Sequence, residues 1–160
     1  MRPRSNVPVN LSRDHRWAIR LRRLAFTSST SAGNSCRSVM GETILRHIAG
    51  DRFDVYSAGT DPKGINPIAE QVLNEIGVST EGVRSKHVKE YLGKMTFHYV
   101  IIVCDDAAES CPRIWPGMMT KLLWPFEDPP KFQGTDMQRL EKFREVRDLI
   151  KARLTDWSPS

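Results

Sequence analysis

Apolar residues recur along this chain in two alternating rhythms, short continuous runs and three-to-four-residue steps, which predict strands and helices in turn. Residues 23–29 read as a first strand that ends in a stretch of small polar residues at 31–35. A helix is expected over 38–49, with Val39, Ile44, Leu45 and Ile48 as its apolar stripe and Gly50 as its stop. Residues 53–57 form a short strand closing on Ala58-Gly59-Thr60, and Pro67 opens a helix carrying Ile68, Val72, Leu73 and Ile76. A weaker helical piece follows at 87–92. Residues 97–104 give the clearest strand, with the unbroken run Tyr99-Val100-Ile101-Ile102-Val103 of a segment covered on both faces. A shorter strand at 122–124 leads into a Pro-rich turn. The last helix carries Leu140, Phe143, Val146, Ile150, Leu154 and Trp157 at helical spacing. Its charged positions Asp136, Arg139, Glu141, Arg144 and Arg147 read as a solvated face.

Strands that alternate with helices imply βαβ crossovers. The expected fold is α/β: three layers, a central four-stranded parallel sheet and helices on both faces. Such sheets bind ligands beyond the carboxyl ends of their strands. The segments 31–37, 57–60, 104–111 and 127–128 each follow a strand, so they can converge on one site.

Charge divides the chain. Arg2, Arg4, Arg13, Arg16, Arg20, Arg22 and Arg23 face only Asp14 within residues 1–24, whereas the whole chain carries a net charge of only +5. The remainder is therefore close to neutral. Residues 1–22 read as a basic extension, disordered or mis-assigned, ahead of a single domain at 23–160. Such a segment could bind nucleic acid, which is nevertheless not expected as a partner here. No apolar run reaches the ~20 residues that cross a bilayer, and no secretory leader is visible, so a cytoplasmic protein is expected. Three cysteines, Cys36, Cys104 and Cys111, are too few and too irregularly spaced for a disulfide framework or a zinc site, and read instead as reduced or redox-active thiols.

Between the first strand and first helix runs Ser31-Ala32-Gly33-Asn34-Ser35-Cys36-Arg37-Ser38. Small residues let backbone N–H groups turn inward around an oxyanion, the helix start adds positive partial charge, and Arg37 offers a two-pronged grip on phosphate-like oxygens. Ser38 suits an N-cap or a hydrogen bond within the loop. The same string also suits an ordinary polar turn with a capping serine.

The residues from Gly33 to Ser38, with Met40 and Glu42, resemble the signature of low-molecular-weight phosphatases and their arsenate reductase relatives: cysteine, five residues, arginine, serine. Ser57-Ala58-Gly59-Thr60, Val103-Cys104-Asp105, Cys111-Pro112 and Trp124-Pro125-Phe126-Glu127-Asp128-Pro129 continue the resemblance in order, over roughly 33–157. It implies a thioredoxin-coupled arsenate reductase with no bound cofactor and external thioredoxin as reductant. In such proteins a nucleophilic cysteine attacks arsenate, a second cysteine resolves the adduct and a third completes a disulfide that thioredoxin reduces. By resemblance Cys104 and Cys111 take the last two roles and Asp128 is the general acid. Ala32, Gly33, Asn34, Ser35, Cys36, Arg37 and Ser38 hold the oxyanion, and Asn34, Glu42 and Ser57 match positions that support that loop and, in some arsenate reductases, line a potassium site; each equally suits an ordinary helix or loop contact. The resemblance further implies arsenate or phosphate as ligand and a monomer.

The nucleophile position, six residues before Arg37, holds Ser31. Loop donors and an arginine can bring a thiol from about 8.5 into the thiolate range, whereas a hydroxyl is far too weak an acid for the same environment to ionise. Cys36 has no arginine at the required distance. The activity is therefore expected to be impaired. The alternatives are a phosphatase for phosphate esters and a non-catalytic oxyanion-binding homologue. The missing cysteine, the polar first strand, which would sit poorly in the middle of a sheet, and the arginine-rich tail all precede Gly33, and a reading-frame shift upstream of that residue would account for all three; resequencing the gene tests it. Glu127 competes with Asp128 for the acid role. Pro130-Lys131-Phe132 lacks the tyrosines that would hold a phosphotyrosine ring, which favours a small oxyanion. His47, His87 and His98 show no ligand spacing.

Overall fold

The computed structural model describes residues 21–28, 35–104 and 117–157. Four parallel strands, β1 (Arg22–Ser28), β2 (Phe53–Gly59), β3 (Phe97–Ile102) and β4 (Met118–Leu123), form one sheet in the order β2-β1-β3-β4. Three α-helices, α1 (Arg37–Ala49), α2 (Pro67–Asn74) and α3 (Asp136–Asp156), join them, with short 3-10 turns at Val88–Glu90 and Pro129–Lys131. This is the expected α/β architecture, with its two faces covered unequally. Buried residues of all three α-helices meet Leu24, Phe26, Val55 and Ile101 on one face. On the other, Ala25, Ala58, Val100 and Ile102 pack with Val88 and Tyr91 of the first 3-10 turn and its flank. Among the described residues, no helix is long and apolar enough to cross a membrane.

Two expectations need correction, and one open alternative is settled. The polar first strand would be a poor central strand, yet β1 lies between β2 and β3 with Leu24, Ala25, Phe26 and Thr27 fully buried. Its backbone ladders to both neighbours supply the stability, and the cost appears at Thr27, whose buried hydroxyl has no hydrogen-bond partner among the described residues. Of the two roles open to Ser38, the N-cap is not the one it takes: α1 begins at Arg37, and Ser38 is inside its first turn. Arg147 is not on a solvated face. It is buried, donating to the Val72 carbonyl at 2.9 Å and to Glu75 at 3.1 Å, so that it clamps α3 onto α2. Arg144 adds a second grip on Glu75 at 2.8 Å.

Gly41 sets how closely α1 lies on the sheet. A Cβ there would fall 2.5 Å from the ring of Phe26, so helix and strand are in backbone-to-ring contact that only glycine permits.

Candidate functional site

The carboxyl ends of the strands gather the residues that carry chemistry. The Val103 amide donates to the Thr27 carbonyl at 3.0 Å, and the Trp124 amide to the Ile102 carbonyl at 2.8 Å, drawing the ends of β1, β3 and β4 together. At this end, Arg37 and Asp128 face each other, 2% and 3% exposed, with Nη2 and Oδ1 3.4 Å apart. Arg37 also donates through Nη1 to the Phe126 carbonyl at 2.6 Å. Among the described residues, neither carboxylate oxygen of Asp128 accepts a hydrogen bond, so the buried acid meets Arg37 as a charge partner. Glu127 points away instead, its side chain exposed and paired with Lys142 at 3.0 Å. Of the two adjacent acids, Asp128 is the one aimed at Arg37.

Ser35 and Cys36 are buried where the loop enters α1. The Ser35 carbonyl accepts from the Asn66 amide at 2.8 Å, while the Asn66 side chain caps α2, so the loop end is tied to the start of the next helix. Burial pushes the Cys36 thiol far up from its ordinary range; Asp128 adds to the rise and Arg37 opposes it. Cys36 is thus a neutral thiol at physiological pH and no substitute for a thiolate nucleophile. Cys104 follows β3 and is buried beside Val100 and Ile102. Ser31, Ala32, Gly33, Asn34 and Cys111 lie outside the described residues.

Glu42 and Ser57 do meet. Glu42, on α1, is buried and accepts a hydrogen bond from the Ser57 hydroxyl on β2 through Oε2. Its Oε1 receives Arg46 at 2.5 Å, which also donates to the Val55 carbonyl at 2.9 Å. The residue that sequence reasoning missed is Lys86. Its side chain is buried with Nζ 3.4 Å from Glu42 Oε2 and 2.9 Å from the Arg84 carbonyl it donates to. Burial pulls the Lys86 ammonium below the ordinary lysine range while Glu42 holds it up. Residues 82–87 have no periodicity, so nothing local pointed to it.

A cavity of about 350 Å³ opens at the opposite, amino end of the sheet, lined by Leu21, Arg23, Asp54, His98 and Met119 among others. Its ion pair, Arg23–Asp54, is stretched to 4.0 Å and partly exposed. The paired buried charges are at the other end, which is where parallel α/β sheets place their ligands.

The model of the family described as low molecular weight phosphotyrosine protein phosphatase matches residues 28–160. An arsenate reductase of Shouchella clausii is 39% identical over 123 residues, spanning 76% of this chain and 86% of the relative. A solved structure described as an arsenate reductase in the reduced state superposes with a TM-score of 0.68 at 25% identity, over 85% of this chain and 95% of the other. A thioredoxin-dependent arsenate reductase from Corynebacterium glutamicum shares the fold, with a TM-score of 0.53 at 22% identity over 86% of this chain and 64% of that one.

Proposed function

This chain belongs to the low molecular weight phosphotyrosine protein phosphatase family, and from that premise we propose that it is a scaffold for thioredoxin-coupled arsenate reduction that is silenced by serine at its nucleophile position. The observation that carries the reading is the buried Arg37–Asp128 pair at the carboxyl end of the sheet. In this account Arg37 and the amides of the 31–37 loop hold arsenate, and Asp128 protonates the departing hydroxide. Cys104 and Cys111 supply two electrons as they become a disulfide, which thioredoxin then reduces in the cytoplasm. Ser31 provides no thiolate to attack arsenic, and the neutral Cys36 does not stand in for it. What the chain retains is oxyanion binding.

The test is thioredoxin-coupled NADPH oxidation with arsenate, comparing the chain with Ser31→Cys. Turnover only in the cysteine form supports the reading. Turnover in both means that another thiol attacks and the account of the loop is wrong. A folded Ser31→Cys protein that turns nothing over counts against placing the nucleophile at 31.

A second reading, hydrolysis of phosphate esters, is favoured by the same Asp128, since an ester needs an acid to protonate its leaving oxygen. It leaves Cys104 and Cys111 idle. In the Ser31→Cys background, replacing both by serine should spare an esterase and abolish a reductase.

A further inference from the structure

In some arsenate reductases the positions matched by Asn34, Glu42 and Ser57 line a potassium site, and the buried groups around Glu42 in this chain do not fit one. Both carboxylate oxygens are already engaged, Oε1 by Arg46 and Oε2 by the Ser57 hydroxyl and the Lys86 ammonium. A cation reaching Oε2 would have to displace the ammonium or stand beside it, with the Arg46 guanidinium on the other oxygen. One buried carboxylate would then face three positive charges.

Lys86 is also built in place. Its backbone carbonyl accepts from the Gly59 amide at 2.8 Å, and the next residue, His87, bridges to Gly59 in parallel. The lysine is therefore stitched to the carboxyl end of β2, two residues beyond Ser57. Its ammonium lies between Glu42 on α1 and the Arg84 carbonyl, only 7% of the residue being exposed. Glu42 sits on the helix that begins at Arg37, so whatever neutralises Glu42 also helps to fix that helix and the Arg37 at its start.

We propose that the Lys86 ammonium is the tethered cation of this site, taking the place an alkali ion would need and positioning α1 through Glu42 and Ser57. The chain is accordingly indifferent to potassium. Lys86 is a positioning residue: it touches the carboxylate that holds the helix and not the reacting oxyanion. The inference stands on the Glu42 cluster alone, whichever oxyanion the loop accepts.

The experiment is calorimetric unfolding of the full chain in potassium, sodium and tetramethylammonium chloride at equal ionic strength, with titration of inorganic phosphate alongside. The unsubstituted chain should show the same Tm and phosphate affinity in all three salts. Lys86→Gln should lose on the order of 5 °C in tetramethylammonium, because it strips the charge partner from a buried carboxylate. It should regain part of that loss, and of its phosphate affinity, in potassium in preference to sodium. A potassium-selective rise in Tm or phosphate affinity for the unsubstituted chain overturns the proposal. So does a Lys86→Gln protein that is unharmed, or equally weakened in all three salts. Should Lys86→Gln fail to fold, the salt series on the unsubstituted chain decides alone.

Discussion

Replacing Gly41 by alanine should destabilise this protein, although the same change in an ordinary helix stabilises. Alanine gains about 1 kcal/mol over glycine in a helix interior. Here the new methyl would stand 2.5, 2.7 and 2.8 Å from three carbons of the Phe26 ring. Comfortable carbon contacts lie at about 3.5–4.0 Å, so helix and ring must part by roughly 1 Å. Phe26 is fully buried in the central strand and has nowhere to swing. Overpacking of that kind costs about 1–3 kcal/mol. The close approach puts this site at the upper end, so the net should be a loss of about 1–2 kcal/mol, or a Tm lower by about 2–8 °C. Calorimetry or urea unfolding reads the effect directly. Because α1 starts at Arg37, its displacement should also weaken phosphate binding. Adding Phe26→Leu makes room for the methyl, so the double variant should be more stable than the sum of the two single losses by at least ~0.5 kcal/mol. A Gly41→Ala protein as stable as the parent or more so would show that the helix does not rest on Phe26, and the packing argument would fail.

Other substitutions separate features that lie side by side. Thr27→Val should raise stability by about 1 kcal/mol, read as a higher Tm, because it replaces a buried hydroxyl that has no partner among the described residues with a methyl of the same shape; a lower Tm would mean the hydroxyl is satisfied after all. In the Ser31→Cys background, Asp128→Asn should slow arsenate reduction by roughly 10²–10⁴-fold, the usual worth of a positioned acid. The neighbouring Glu127→Gln should leave the rate unchanged and shift stability by under ~1 kcal/mol, since it loses only an exposed ion pair with Lys142. Equal effects of the two would undo the assignment of the acid.

The sequence made the order of strands and helices legible because apolar period and turn residues repeat the message of the fold at every step. The run from Tyr99 to Val103 and the helical stripe from Leu140 to Leu154 both lie where their patterns put them. The same logic misjudged β1, because pattern weighs side chains while a central strand is also held by two backbone ladders. It misjudged Arg147 as well. An arginine among charged neighbours on a helix looks solvated until the packing of a second helix brings Glu75 and the Val72 carbonyl onto it. In the site, Arg37 and Asp128 were named from the family resemblance with Glu127 left as a competitor, and the direction of the turn adds that Asp128 faces Arg37 while Glu127 faces Lys142. Lys86 was invisible because its partner, Glu42, is distant in sequence and belongs to another element.

The most direct test of the central claim is a single turnover by Ser31→Cys, fully reduced, with arsenate and no thioredoxin, followed by peptide mapping. The account predicts one arsenite released per chain and a disulfide joining Cys104 to Cys111, with the unsubstituted chain releasing none. A disulfide that includes Cys36, or arsenite formed by the chain carrying Ser31, would contradict it.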